Sequence, residues 1–281
     1  MSSFVGAWAN ETNGSMVSYG AMDEARRGGS AASKNLAWCV ADPHIKEDDP
    51  VLGLFYGFLE EFSSNGPKTL VVLGDLFAAW VALPGALAPY QRALLDKFSA
   101  LRASGRELVF IVGNRDYFVE SLDPQPFSFV GERWDLAVPS GGLIRFEHGD
   151  LINTSDGNYQ RWRIFSRSEA VRRTVAALPG KWQASLARRA EKALGPTNLA
   201  YKDYSPLPEL ERWARGAVAD GCSAAIVGHF HEDKNVIAAG LPVRFAPQFR
   251  GDGPFLSISV DGAIERVDLA RQNGGSVSTV K

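Results

Sequence analysis

The sequence predicts an α/β protein whose chemistry gathers at the ends of its strands. Three observations carry that expectation. Short apolar runs alternate with helix-length amphipathic segments between residues 35 and 116. Each run stops at a polar cluster rich in Gly, Asp, Asn or His. All four histidines of the chain, His44, His148, His229 and His231, stand at such exits, where open α/β sheets place their ligands.

The elements follow in order. Residues 1–34, rich in Gly, Ser, Ala and Asn and without periodicity, read as a disordered tail. Leu36–Ala41 reads as a buried strand ending at Asp42. Asp49-Pro50 reads as an N-cap followed by proline at the first helical position, opening a helix over 51–62. Thr69–Leu73 is a second strand ending at Gly74-Asp75, and a helix spans about 87–104. Glu107–Val112 is a third strand, ending at Gly113-Asn114-Arg115-Asp116. Beyond 127 the strands come without intervening helices, and Leu143–Glu147 runs into His148-Gly149-Asp150. Residues 158–194 and 207–220 are helical in pattern, and Ala224–Val227 runs into Gly228-His229-Phe230-His231. Short strands close the chain between about 234 and 268.

Composition excludes several classes. With 281 residues, 45% hydrophobic and 22% charged, the chain has material for a real core. A net charge of −2 asks for no nucleic acid. Two cysteines, Cys39 and Cys222, both in apolar runs, make no disulfide framework and fit a reducing compartment, hence the cytoplasm. The longest uncharged apolar stretch, Leu76 to Tyr90, is shorter than the roughly 18 residues of a membrane span and is broken by Pro84, Gly85 and Pro89.

Five loops hold the chemistry: Asp42-Pro43-His44, Gly74-Asp75, Gly113-Asn114-Arg115-Asp116, His148-Gly149-Asp150 and Gly228-His229-Phe230-His231. Taken singly, Gly-Asp after a strand is a turn with a helix cap, and a lone Asp-x-His is surface. Jointly they are a donor set. Imidazole, carboxylate and amide oxygen suit divalent ions such as Mn, Fe or Zn, and no thiolate is near. Asp42, His44, Asp75, Asn114, His148, His229 and His231 are too many ligands for one tetrahedral ion and about right for two. Glycines beside them would let the backbone approach closely.

These five blocks resemble those of the calcineurin-like metallophosphoesterases, over about residues 35–268. The resemblance implies a β-sandwich flanked by helices, with two divalent metal ions. Asp42, His44, Asp75 and His231 would hold the first. Asp75 as the bridge, Asn114, His148 and His229 would hold the second. It also implies in-line attack on phosphorus by a metal-bridging hydroxide, with Arg115 and His229 stabilising the transition state. The third block carries Arg115 where most of the family has histidine. The second continues as Leu76-Phe77-Ala78-Ala79-Trp80, and the fourth runs through Asn153-Thr154-Ser155-Asp156 to Tyr159-Gln160-Arg161-Trp162-Arg163. These details resemble one branch, the UDP-2,3-diacylglucosamine pyrophosphatases of the lipid A pathway, which release UMP from a nucleotide–lipid diphosphate and use Mn. By that likeness Asn114, Arg115, Asp156, Asn198 and Lys202 would contact substrate. Guanidinium cannot protonate a leaving alkoxide, but it grips phosphate oxygens, which suits a diphosphate. The alternative for Arg115 is a surface salt bridge to Asp116. Pro43 stands where the branch has leucine, and Leu194 where it has a serine. Phe245–Phe249 replace a Trp-His strand.

Residues 161–192 carry nine basic residues against two acids, a net charge of +7 that leaves −9 for the rest of the chain. Trp162, Ile164, Phe165, Val171, Val175, Leu178, Trp182 and Leu186 interleave. The composition of 158–200 reads as a helical insertion, a basic amphipathic pair able to lie on an anionic membrane or cover acyl chains. The alternative is a solvated basic face packed on the core through its apolar stripe. In the resembled branch this region is a helical cap over the acyl chains, which puts the protein on the inner face of the cytoplasmic membrane. No motif for a nucleic acid or a protein partner accompanies the charge. Residues 269–281 read as a C-terminal tail. Two other functions stay open: a general phosphodiesterase or phosphatase with another substrate, and a catalytically inactive scaffold of the same fold.

Overall fold

Alternate residues of the first three apolar runs face opposite ways. In the computed structural model, which describes residues 34–154, 157–194 and 207–272, those runs are β1 (Asn35–Val40), β2 (Thr69–Val72) and, after the two-residue β3 (Trp80–Val81), β4 (Glu107–Ile111). Trp38, Val40, Leu70, Val72, Leu108 and Phe110 pack into one cluster, and Ala37, Cys39, Val71, Val109 and Ile111 into another. A strand buried on both faces reads as an unbroken apolar run, which is why these three were legible. Residues 1–33, most of the expected N-terminal tail, lie outside the described residues.

The crossovers between these strands are α1 (Pro50–Asn65) and α2 (Pro89–Ala103). Asp49 caps α1 as its sequence predicts: the Asp49 carboxylate accepts the Val51 N–H at 3.0 Å, and Pro50 occupies the first position. Both helices cover the outer face of the first sheet. Phe55, Phe58 and Phe62 of α1 and Phe98 of α2 fill that layer with Trp38, Phe249 and Phe255.

After the short β5 (Asp116–Tyr117) the chain makes β6 (Phe129–Gly131), β7 (Arg133–Ala137) and β8 (Leu143–Glu147). The helices α3 (Gly157–Ser166), α4 (Glu169–Ala176), α5 (Gly180–Leu194) and α6 (Leu207–Ala219) follow. Then come β9 (Cys222–Val227), β10 (Lys234–Ala238), β11 (Leu241–Phe245), β12 (Pro254–Ser259), β13 (Ile264–Asp268) and the single turn α7 (Leu269–Gln272). The first sheet has the order β13-β12-β1-β2-β4-β6, and the second β10-β11-β9-β8-β7. Strands β1, β2, β4 and β6 run parallel, and β12 joins β1 antiparallel. Ile144, Phe146 and Ile226 of the second sheet meet Cys39, Val71 and Val109 of the first. Helix α6 covers the second sheet through Leu210, Ala214 and Ala217. The result is helices, sheet, sheet, helix: the expected sandwich flanked by helices. Leu269 is buried in the first cluster, so the fold runs past Asp268.

One expectation needs correction. The segment 158–194 is three helices, not a pair. The Ser168 side chain accepts the Val171 N–H at 3.4 Å and starts α4, while Pro179 precedes and resets α5. The two-residue pair β3–β5 gave no periodic signal, yet it seats this segment. Val171, Val175 and Ala187 pack on Val81, Leu83, Ala86 and Phe118. The packed apolar stripe is confined to these few residues. Trp162, Ile164, Phe165 and Trp182 are 55 to 75% exposed. Among the described residues no helix is long and apolar enough to cross a membrane, and both cysteines are buried free thiols.

Candidate metal centre

The five loops meet at one end of the sandwich. Asp42 leaves β1, Asp75 leaves β2, Asn114 and Arg115 leave β4, His148 leaves β8, and His229 and His231 leave β9. Parallel neighbours in each sheet deliver their C-terminal ends to the same edge. Asp42, His44 and His231 form one group with ligand atoms within 4.8 Å of one another, and Asp42, Asp75 and His148 a second. Asn114 links the second group to the last loop. Its Oδ1 lies 3.2 Å from His148 Nε2 and 3.1 Å from His229 Nδ1. Asp42 is common to both groups, whereas the resemblance makes Asp75 the bridge; Asp75 Oδ2 does border the first group, 3.8 Å from His44 Nδ1.

The arrangement fits divalent ions. Asp42 Oδ1 is buried without a well-aligned hydrogen bond, while the Nε2 atoms of His231, His44 and His148 stand 3.4, 3.8 and 3.9 Å away. His44 and His231 point Nε2 at Nε2, 3.1 Å apart. Nitrogen and oxygen donors converging on a common point, with no thiolate among them, suit Mn, Fe or Zn. His148 Nδ1 meets the Leu73 carbonyl at 2.9 Å, which fixes the ring and leaves Nε2 for the cluster.

Charge is concentrated accordingly. Burial would raise Asp42, but His148, His231 and His44 outweigh it and hold its carboxyl well below the usual range. Burial and the Asp42 carboxylate raise Asp75, against His148 and Arg115. Burial, then Asp75, pushes Asp116 up to about 7. Burial opposes the charged form of His148, yet Asp75, Asp42 and Asp150 raise it to about 9. Crowded buried carboxylates ask for positive charge, which divalent ions supply.

The backbone is bent to the task. Asp42, His44, Asp75, His229 and His231 all have φ between 47 and 66°. Such left-handed conformations cost about 1 kcal/mol or more per non-glycine residue and collect at functional sites. Gly74, at φ 78°, is packed closely against the ligand loops. A Cβ there would lie 2.5 Å from His148 Nδ1 and 2.9 Å from the Gly113 backbone. Gly74→Ala is expected to destabilise the fold by about 2 to 4 kcal/mol and to displace His148. Urea unfolding beside metal titration would show whether both effects appear.

Arg115 is buried and pairs with Asp75, Nε to Oδ2 at 3.5 Å, and it donates to the Ala78 carbonyl at 2.8 Å. The salt bridge considered as its alternative, to Asp116 at the surface, is not the one formed. Asp156, Asn198 and Lys202 lie outside the described residues. Sequence reasoning missed the work of two aspartates inside its own blocks. Asp116 accepts the Asp75 and Gly113 N–H groups, each at 2.8 Å, and ties two ligand loops together. Asp150 accepts from Arg163 Nε at 3.0 Å and from the Tyr159 hydroxyl. Their burial is the signal, and it is visible only in three dimensions.

Comparison with known proteins agrees with this geometry. The family model described as Calcineurin-like phosphoesterase matches residues 37–233. The chain is 28% identical over 199 residues to the UDP-2,3-diacylglucosamine hydrolase of Chromohalobacter salexigens, covering 68% of this chain and 78% of that one. It is 26% identical over 159 residues to the enzyme of the same name from Ralstonia nicotianae, covering 53% of this chain and just over half, 56%, of the relative. Among solved structures, vacuolar protein sorting 29 from Cryptosporidium parvum covers 83% of this chain and is itself covered to 98%, at 12% identity and a TM-score of 0.44, a likeness too loose to bear on function. The match over residues 37–233 makes the chain a member of the calcineurin-like phosphoesterase family of metal-dependent hydrolases.

Proposed function

We propose that this chain hydrolyses the diphosphate of a nucleotide–lipid substrate of the UDP-2,3-diacylglucosamine type and releases UMP. The observation that carries the hydrolytic half is Asp42 Oδ1 ringed by three imidazoles. Asp42, His44, Asp75 and His231 would hold one divalent ion, and Asp75, Asn114, His148 and His229 a second, with Asp42 close to both groups and Mn the first choice. Bound ions acidify water and draw charge from a phosphoryl oxygen. The side chains do the rest. Arg115, held against Asp75, presents a cation that neither gives nor takes a proton, and it takes up charge on a departing phosphate. His229, fixed through Asn114, would stabilise charge on the phosphoryl group. Asp156, Asn198 and Lys202 are the proposed contacts farther along the substrate.

The lipid half rests on the names of the relatives and on the segment 158–200, read as a cap. Its exposed Trp162, Ile164, Phe165 and Trp182 stand among the basic residues of that segment. Apolar rings beside cations suit acyl chains and anionic headgroups, and on this reading the enzyme would work at the inner face of the cytoplasmic membrane. A different observation favours a second reading, a phosphodiesterase for a more polar substrate. A cleft of about 770 Å³ opens between α5 and the N-terminal ends of α1 and α2, lined by Lys46, Asp49, Arg188 and Glu191 and in equal measure by apolar residues such as Ala86, Leu87 and Ala187. That cleft is no apolar tunnel.

The experiment supplies UDP-2,3-diacylglucosamine in mixed micelles with Mn and measures UMP. Release well above a chelator-treated blank supports the lipid reading. Turnover of bis-p-nitrophenyl phosphate without release of UMP selects the second. No turnover of either sinks both and leaves a scaffold.

A further inference from the structure

Two arginines, Arg163 on α3 and Arg167 in the turn directly after it, reach out of the helical segment and into the metal-ligand loops. They lie four residues apart, and the Arg167 N–H donates to the Arg163 carbonyl at 3.2 Å, so one helical turn aims both the same way. Arg163 is buried and takes Asp150, two residues beyond His148. Arg167 takes backbone. Its Nη2 donates to the Gly113 carbonyl at 2.6 Å and to the Asp116 carbonyl at 3.1 Å, and its Nε lies 3.3 Å from the same Asp116 oxygen. The guanidinium also lies over the Tyr117 ring, 5.0 Å from its centroid. Gly113 and Asp116 bracket Asn114 and Arg115. From within, the Asp116 carboxylate grips the Gly113 N–H. From without, Arg167 clamps the carbonyls at both ends.

We propose that Arg167 is a positioning residue: its planar fork sets the loop that aims Asn114 at His148 and His229 and Arg115 at Asp75. The inference rests on the metal-site reading above. A lysine cannot replace the clamp, because an ammonium is a point donor on a flexible stem and does not span two fixed carbonyls in one plane. Asn114 Oδ1 lies within 3.2 Å of two imidazoles, so a displaced loop would weaken the ligand set of Asn114, His148 and His229 while Asp42, His44 and His231 stay in place. Partners of ligands in other metal sites are worth about 10- to 100-fold in affinity or activity.

The test uses the full chain, loaded with Mn and then dialysed, and bis-p-nitrophenyl phosphate, which has no acyl chain for the helical segment to hold. For Arg167→Ala the expected result is a 10- to 100-fold lower kcat with KM within threefold. One ion should remain per chain where the wild type keeps two. Added ethylguanidinium should restore part of kcat. Arg167→Lys, which keeps the stem and charge, serves as the second variant, with kcat between the two and no response to ethylguanidinium. Two retained ions with kcat within twofold of wild type would overturn the proposal. So would a loss of activity that tracks a lower melting temperature and that ethylguanidinium leaves unchanged. A wild-type protein that binds no ion and turns over nothing fails in its own arm, and there it is the metal-site reading that falls.

Discussion

Asp42→Asn is expected to cut turnover of any phosphoester by on the order of 10³-fold or more and to strip bound metal from both groups. Asp42 is the one residue shared by the two groups, and its Oδ1 faces three imidazoles. Its other oxygen accepts the His229 N–H at 2.8 Å. An asparagine oxygen can still accept that N–H, so the His229 loop keeps its anchor while the anionic ligand is lost. Metal analysis after dialysis, alongside kcat, checks the result. A variant that keeps two ions and a tenth of the activity would show that Asp75 alone suffices as the shared ligand.

The largest expected loss of stability lies elsewhere. Phe58→Ala should cost about 3 to 5 kcal/mol. Phe58 is fully buried, with ring centroids 6.0 Å from Trp38, 5.7 Å from Phe55, 5.4 Å from Phe249 and 5.1 Å from Phe255. Rings at these spacings interlock between α1 and the first sheet, and the hole left by one cannot close without moving the others. Denaturant unfolding should give a lower midpoint with an unchanged slope. A loss under 1 kcal/mol would mean that this layer repacks. Because the phenyl layer lies on the helix side of the sheet, metal binding below the unfolding transition should survive.

What could be read in advance follows from how local each signal is. Strands β1, β2 and β4 are buried on both faces, so their apolar runs are unbroken and their polar exits stand out. The histidines were legible because they are rare and all occupy such exits. Strands β3 and β5 are two residues each and have no period to detect. The breaks within 157–194 depend on one serine cap and one proline inside a pattern that is otherwise continuous. Asp116 and Asp150 were in plain view, but Asp116 finds Asp75 from a loop 41 residues away and Asp150 finds Arg163 from a later helix. Arg167 looked like one more charge in a basic run, and only the fold shows that it faces backbone carbonyls.

The left-handed backbone at Asp42, His44, Asp75, His229 and His231 has a consequence for how this protein can change. Glycine would relax the chain at every one of these positions, and each such exchange would also delete a donor. Stability and chemistry therefore pull in opposite directions at the same five residues. A variant library selected for heat resistance alone should drift toward glycine there and become inert. Selection for turnover should keep these five strained and gather its stabilising changes in the aromatic layer behind the first sheet.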